Sequence, residues 1–185
     1  MQAALLCCEQ MAALSAFELQ SIDDFLASSK RLDGAPPPWV KTERAHDFQA
    51  TWNVIDHQGA TSAYLRFRLS SLAPEFPSVT LVYRGNGISR LDLCSPALRK
   101  YNPLWAEQLG LPGTFQGSHC HGWTHNRDHV GRTGLWKLDA KEPVGPSLRR
   151  VPQMLPWFTH KVGIRLTPEQ RQFDAPEKTD LFEGF

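Results

Sequence analysis

At 185 residues, 41% hydrophobic and 21% charged, with six tryptophans and ten phenylalanines, the chain has the composition of one globular domain, not of a disordered, collagenous or disulfide-stapled protein. The net charge of +1 hides an uneven distribution: residues 84–165 carry 12 basic and 5 acidic side chains, a surplus of +7, while residues 1–50 and 166–185 each carry −3. A basic middle favours an anionic partner, most simply a phosphate backbone, unless the acidic ends neutralise it within the fold.

Cys7, Cys8, Cys94 and Cys120 form neither a CxxC pair nor a spaced disulfide framework, so a reducing, cytoplasmic setting is expected. The start, MQAALLCCEQ, is apolar but has no basic flank, and Glu9 interrupts it, which argues against a signal peptide. Met11 offers an alternative start. No run approaches the roughly 18 apolar residues of a membrane span, so no membrane contact is expected.

In chain order, residues 1–32 read as a helical segment. Ser15–Glu18 and Ser21–Asp24 both have capping-box spacing, which predicts a break near Ser21. Three consecutive prolines at 36–38 end the helix and mark 33–45 as a linker. The β-rich core is expected over 46–185. Phe48, Ala50, Trp52 and Val54 alternate with polar residues, as do Ala63, Leu65, Phe67 and Leu69, with a turn between them. The stretch PSVTLVYRGNGISRLDLC repeats this hairpin around Arg84-Gly-Asn-Gly87. Residues 95–116 read as loop with one short helix near PLWAEQLG, 139–156 as loop, and PWFTHKVGIRL as a closing strand. Thr167 is placed to cap a last short helix. The expected fold is therefore α+β: an antiparallel sheet of roughly five strands, built from consecutive hairpins and covered by the N-terminal helix.

The chemistry concentrates in GSHCHGWTHNRDHVGR, which holds four of the seven histidines, His119, His121, His125 and His129. On a strand His119 and His121 leave the same face; on a helix His121, His125 and His129 would share one. These four histidines are a fallback set for zinc, but flanking Arg127 and Arg132 argue against a cation, and no metal or other cofactor is expected. Imidazoles can also act as an acid–base pair on a phosphodiester, with a cation near the developing charge. Arg90 and Asp92 share the polar face of their strand, so Arg90 can hold a phosphate and Asp92 can orient a histidine. Cys120 reads as a core-facing strand residue, and Trp39, Trp52 and Trp105 as packing.

The Arg90-Leu-Asp92 strand end, followed by a Pro-containing loop and His119-x-His121, resembles the TumE-type toxins of toxin–antitoxin pairs over residues 83–121 at most. This chain departs from them in its longer loop, in lacking a histidine directly after the aspartate, and in the eighty or so residues that precede the match. The resemblance implies a small cytosolic β-rich protein acting on RNA, with Arg90, Asp92, His119 and His121 as its active positions. The expected function is a metal-independent ribonuclease whose cleavage survives chelator. Arg84, Arg99, Lys100, Trp123, Arg127 and Arg132 would form the nucleic-acid surface, and the partners would be RNA and an antitoxin. The alternative is a non-enzymatic mobile-element protein that docks its basic face on a nucleic-acid-handling host complex and inhibits it.

Overall fold

The computed structural model describes residues 13–44 and 46–176. The readings on Cys7, Cys8, Met11 and the apolar start fall outside those residues. Helix α1 (Ala16–Ala27) begins with a complete capping box: the Glu18 amide donates to the Ser15 hydroxyl at 3.2 Å, and the Ser15 amide donates to the Glu18 carboxylate at 2.8 Å. The expected break at Ser21 does not occur. Ser21 lies inside the helix, and its hydroxyl sits 3.1 Å from that of Tyr83. At the other end Lys30, only 2% exposed, donates to the carbonyls of Phe25, Leu26 and Ser28 at 2.6, 3.1 and 2.7 Å. One buried ammonium thus closes a helix end that would otherwise leave carbonyls unpaired.

Eleven strands follow among the described residues. They are β1 (Lys30–Leu32), β2 (Val40–Lys41), β3 (Asp47–Ile55), β4 (Ala63–Ser70), β5 (Ala73–Tyr83), β6 (Asn86–Asp92), β7 (Arg99–Tyr101), β8 (Thr114–Gln116), β9 (His119–His121), β10 (Glu142–Pro143) and β11 (Ile164–Arg165). The main sheet runs β10-β9-β6-β5-β4-β3-β1-β11, with β2 added on β3, and only β1–β11 is parallel. Its centre is the expected pair of hairpins. The β3–β4 turn is closed by Asp56, whose carboxylate accepts the amides of Gln58 and Ala60 at 2.9 Å. The β5–β6 turn puts Arg84 and Gly85 at φ 48° and 83°, the left-handed pair of a tight hairpin turn.

Alternation sends Leu65, Phe67, Val79, Leu81 and Leu91 to one face, where all are fully buried. Phe25 of α1 stacks on Tyr83 there at 4.3 Å, so the N-terminal helix does cover this face. A second helix shares the task. Val151, Met154, Leu155 and Phe158, spaced i, i+3, i+4, i+7, are buried on α4 (Val151–Lys161), where a loop and a closing strand were expected. Pro156 inside α4 hid that period; Pro152 in the first turn has no amide to lose, and the packed face outweighs the one bond that Pro156 removes. Only Ile164–Arg165 of the expected closing strand is extended.

The supposed N-terminal helical segment ends in β1, and the Pro-rich linker contributes β2. Trp39 from that linker stacks on Phe173 at 5.6 Å, a packing role as expected. Residues 95–116 hold the expected short helix, α2 (Leu104–Glu107), between β7 and β8, which pair as a separate ribbon. The last helical turn is a 3-10 turn, Gln170–Gln172, in which the Gln170 amide donates to the Thr167 hydroxyl at 3.3 Å. Among the described residues no helix is long and apolar enough to cross a membrane.

Candidate functional site

Strands β6 and β9 lie side by side, with Arg90 opposite His121 and Asp92 opposite His119. Leu91 and Cys120, the intervening pair, face the core and are fully buried. The two i, i+2 pairs therefore emerge together on the outer face of the sheet. Asp92 is the hub. Its Oδ1 accepts from Arg90 Nε at 2.8 Å and lies 2.6 Å from an Arg90 terminal nitrogen, while its Oδ2 faces His121 Nε2 at 3.2 Å and His119 Nε2 at 3.6 Å. Asp92, His119 and His121 are 9%, 3% and 8% exposed, whereas the Arg90 side chain is 50% exposed, the solvent-facing edge of the group.

The far nitrogen of each ring is also occupied. His119 Nδ1 lies 3.2 Å from the Gly117 carbonyl, and His121 Nδ1 makes a short contact with the Leu138 carbonyl. Both histidines thus meet oxygen acceptors at both nitrogens. A neutral imidazole has one N–H, so each ring satisfies one of its two oxygen partners and turns a lone pair to the other. Burial, then the neighbouring His121, pushes His119 down to about 4, so this ring is neutral at physiological pH. Burial alone would raise Asp92; the His121 hydrogen bond and the Arg90 charge outweigh it and hold the carboxyl below its ordinary value.

Two asparagines fix the segment that supplies the Leu138 carbonyl. Asn126, fully buried on helix α3 (Trp123–Thr133), donates to the Gly122 and Ala140 carbonyls at 2.9 and 3.0 Å and accepts the Ala140 amide at 2.8 Å. Asn102 grips the next residue, donating to the Lys141 carbonyl at 2.8 Å and accepting its amide at 2.7 Å. Just beyond, β10 pairs with β9. Sequence reasoning singled out neither asparagine, since their partners lie 14 and 39 residues away.

The structure separates the other histidines from this centre. His121 is on β9 and α3 begins after Gly122, so His121 does not share a helical face with His125 and His129. Those two line a different cavity of about 480 Å³ with Leu109 and Arg132, and His129 stacks on Trp105 at 4.5 Å. Among the described residues, the donor group that does come together is Asp92, His119 and His121.

The expected nucleic-acid residues divide in the same way. Trp123 is 4% exposed, donates to Asp23 at 2.8 Å and stacks with Trp136, so it is packing and offers no face to a base. Arg127 is held by Asp23 at 2.8 Å and by Asp128 at 3.3 Å, and Arg132 bonds the Asp128 carbonyl at 3.3 Å. Arg84 is at the far end of β6 from Asp92, over the Tyr83 ring. Arg99 and Lys100 are on β7; opposite Lys100, Phe115 meets His119 edge to face with ring centroids 5.5 Å apart.

Two arginines that the sequence reading passed over stand in line with the centre. Register places Thr51, Arg66, Thr80, Arg90 and His121 in one row across β3, β4, β5, β6 and β9, and Gln49, Arg68, Ser78, Asp92 and His119 in the next. Burial, then the like charges of Arg66, Arg90 and Arg44, pull Arg68 below its ordinary value, a mark of crowded cations. The Arg66 Nε is buried without a hydrogen-bond partner. The alternation of Arg66 and Arg68 with core residues was visible in sequence; their alignment with Arg90 needed the strand register. Set against protein-family models, curated proteins and solved structures, the chain matches none of them.

Proposed function

We propose that this chain is an RNA-directed phosphodiesterase, ribonuclease-like and of toxin type, with its reaction centre at Arg90, Asp92, His119 and His121. The observation that carries the reading is the convergence of both Nε2 atoms on one Asp92 oxygen while Arg90 holds the other. Cleaving a phosphodiester requires a base, a proton for the leaving oxygen and positive charge near the phosphorus. Arg90, half-exposed, is the phosphate clamp. The basic rows through Arg66 and Arg68 supply a track along which a polyanion reaches it. The R-L-D and H-x-H pattern shared with TumE-type toxins points the same way, and it makes an antitoxin the natural protein partner.

The test is cleavage of a short single-stranded RNA by wild type, Arg90→Ala, Asp92→Asn and His121→Ala, each with added zinc and with chelator. Wild type should cleave, and each variant should fall by about 10²–10⁴-fold. Equal rates in all four proteins would move the chemistry elsewhere. Salt-dependent RNA binding without turnover in either condition would replace the enzyme with the alternative, a binding and inhibitory protein.

A further inference from the structure

We infer that Asp92, His119 and His121 form a binding site for one first-row divalent transition-metal ion of the zinc class. Three observations converge on it. First, the spacing fits. Zinc bonds of about 2.0–2.1 Å at tetrahedral angles put neighbouring ligand atoms about 3.3–3.4 Å apart; the distances from Asp92 Oδ2 to the two Nε2 atoms are 3.2 and 3.6 Å, and all three donors lie within 4.8 Å of one another. Second, the rings can present lone pairs to a cation. Each Nδ1 lies against a backbone carbonyl that can take the ring proton, and in that tautomer both Nε2 lone pairs turn toward the anionic Asp92 oxygen, where a metal ion would replace the His121–Asp92 hydrogen bond.

Third, the surrounding hydrogen bonds are those that metal ligands ordinarily receive. Ligating histidines hand their other N–H to a carbonyl or carboxylate, and ligating carboxylates are themselves hydrogen-bonded. Here Gly117 and Leu138 take the two Nδ1 positions, Arg90 takes the spare Asp92 oxygen, and Asn126 and Asn102 fix the segment that bears Leu138. The charge objection raised by Arg127 and Arg132 loses its force: Arg127 is paired with Asp23 and Asp128, and Arg132 sits with the other cavity.

Two imidazoles and one carboxylate select zinc, cobalt, nickel, iron or manganese over magnesium and calcium, which prefer oxygen. Three protein ligands leave a position for water or a phosphate oxygen, the open form of a catalytic site. In cleavage, which rests on the phosphodiesterase reading, the ion would replace the two histidines as source of the base. Binding rests only on the three positions.

Binding is therefore measured directly. Chelator-stripped, full-length protein is titrated with zinc by calorimetry and with cobalt by visible absorption. One equivalent should bind wild type, with tetrahedral cobalt bands and no thiolate-to-cobalt charge-transfer band. Asp92→Asn and His121→Ala should weaken binding by at least about a hundredfold, and a His125→Ala/His129→Ala double variant should retain the full equivalent. Should a ligand variant fail to fold, nitrogen-15 spectra of wild-type histidines decide: zinc should shift Nε2 of His119 and His121 while Nδ1 stays protonated. Binding no tighter than millimolar, a thiolate band, unshifted Nε2 signals, or loss of the equivalent in the α3 double variant would each overturn the site. RNA cleavage in chelator without metal binding would remove the metal and keep the phosphodiesterase; metal binding without cleavage would do the reverse.

Discussion

Asn126→Ala tests whether the segment behind His121 is held as the geometry implies. Asn126 and Ala140 are both fully buried, and the asparagine supplies a partner to both the amide and the carbonyl of Ala140. Truncation leaves those two groups unpaired in the interior, at about 1–3 kcal/mol each, so the expected loss of stability is about 2–6 kcal/mol. Urea unfolding should show a lower midpoint with an unchanged slope. Hydrogen exchange should show the Ala140 amide, protected in wild type, opening well before the sheet amides. As the Leu138 carbonyl drifts from His121 Nδ1, zinc affinity should fall about 10–100-fold, although no ligand has changed. A loss under about 1 kcal/mol with Ala140 still protected would show that the segment is held by other contacts. Unchanged zinc affinity in a destabilised variant would uncouple the segment from the site.

The polyanion track makes an opposed pair of predictions. Arg66→Gln with Arg68→Gln should lower the salt slope of RNA binding by about one to one and a half units, at about 0.7 per lost contact, whereas Arg127→Gln, already neutralised by Asp23, should leave it unchanged; anisotropy titrations showing the reverse order would put RNA on α3 instead. For Cys120, burial pushes the thiol up to about 12, so at pH 9 only about one molecule in a thousand carries a thiolate while the protein is folded. Iodoacetamide mapping by mass spectrometry should find Cys120 unmodified at pH 9 until urea unfolds the chain; prompt labelling of folded protein would contradict its core position.

The sequence by itself determined the parts whose causes are local. Period-two alternation and turn residues marked β3 to β6, the Ser15–Glu18 spacing matched the capping box on which α1 opens, although with Ser21–Asp24 it also pointed to a break near Ser21, and the H-x-H and R-L-D spacings put each pair on one strand face. Hydrophobic content and the hairpins together indicated an α+β domain with a helix over one sheet face, which the structure bears out. A loop and a closing strand were expected where α4, with Pro156 inside it, buries Met154, Leu155 and Phe158 on an i, i+3, i+4, i+7 stripe with Val151. Tertiary structure alone decided which histidines share a site, because β9 docks on β6 from 27 residues away while His125 and His129 turn with α3 toward another cavity. It also decided which cations remain available. Asp23 reaches Arg127 across 104 residues and pairs with it, while strand register aligns Arg66 and Arg68 with Arg90. Charge, hydrogen bonding and metal geometry act over a few ångströms of space, and for these residues the chain sets that spacing only once it has folded.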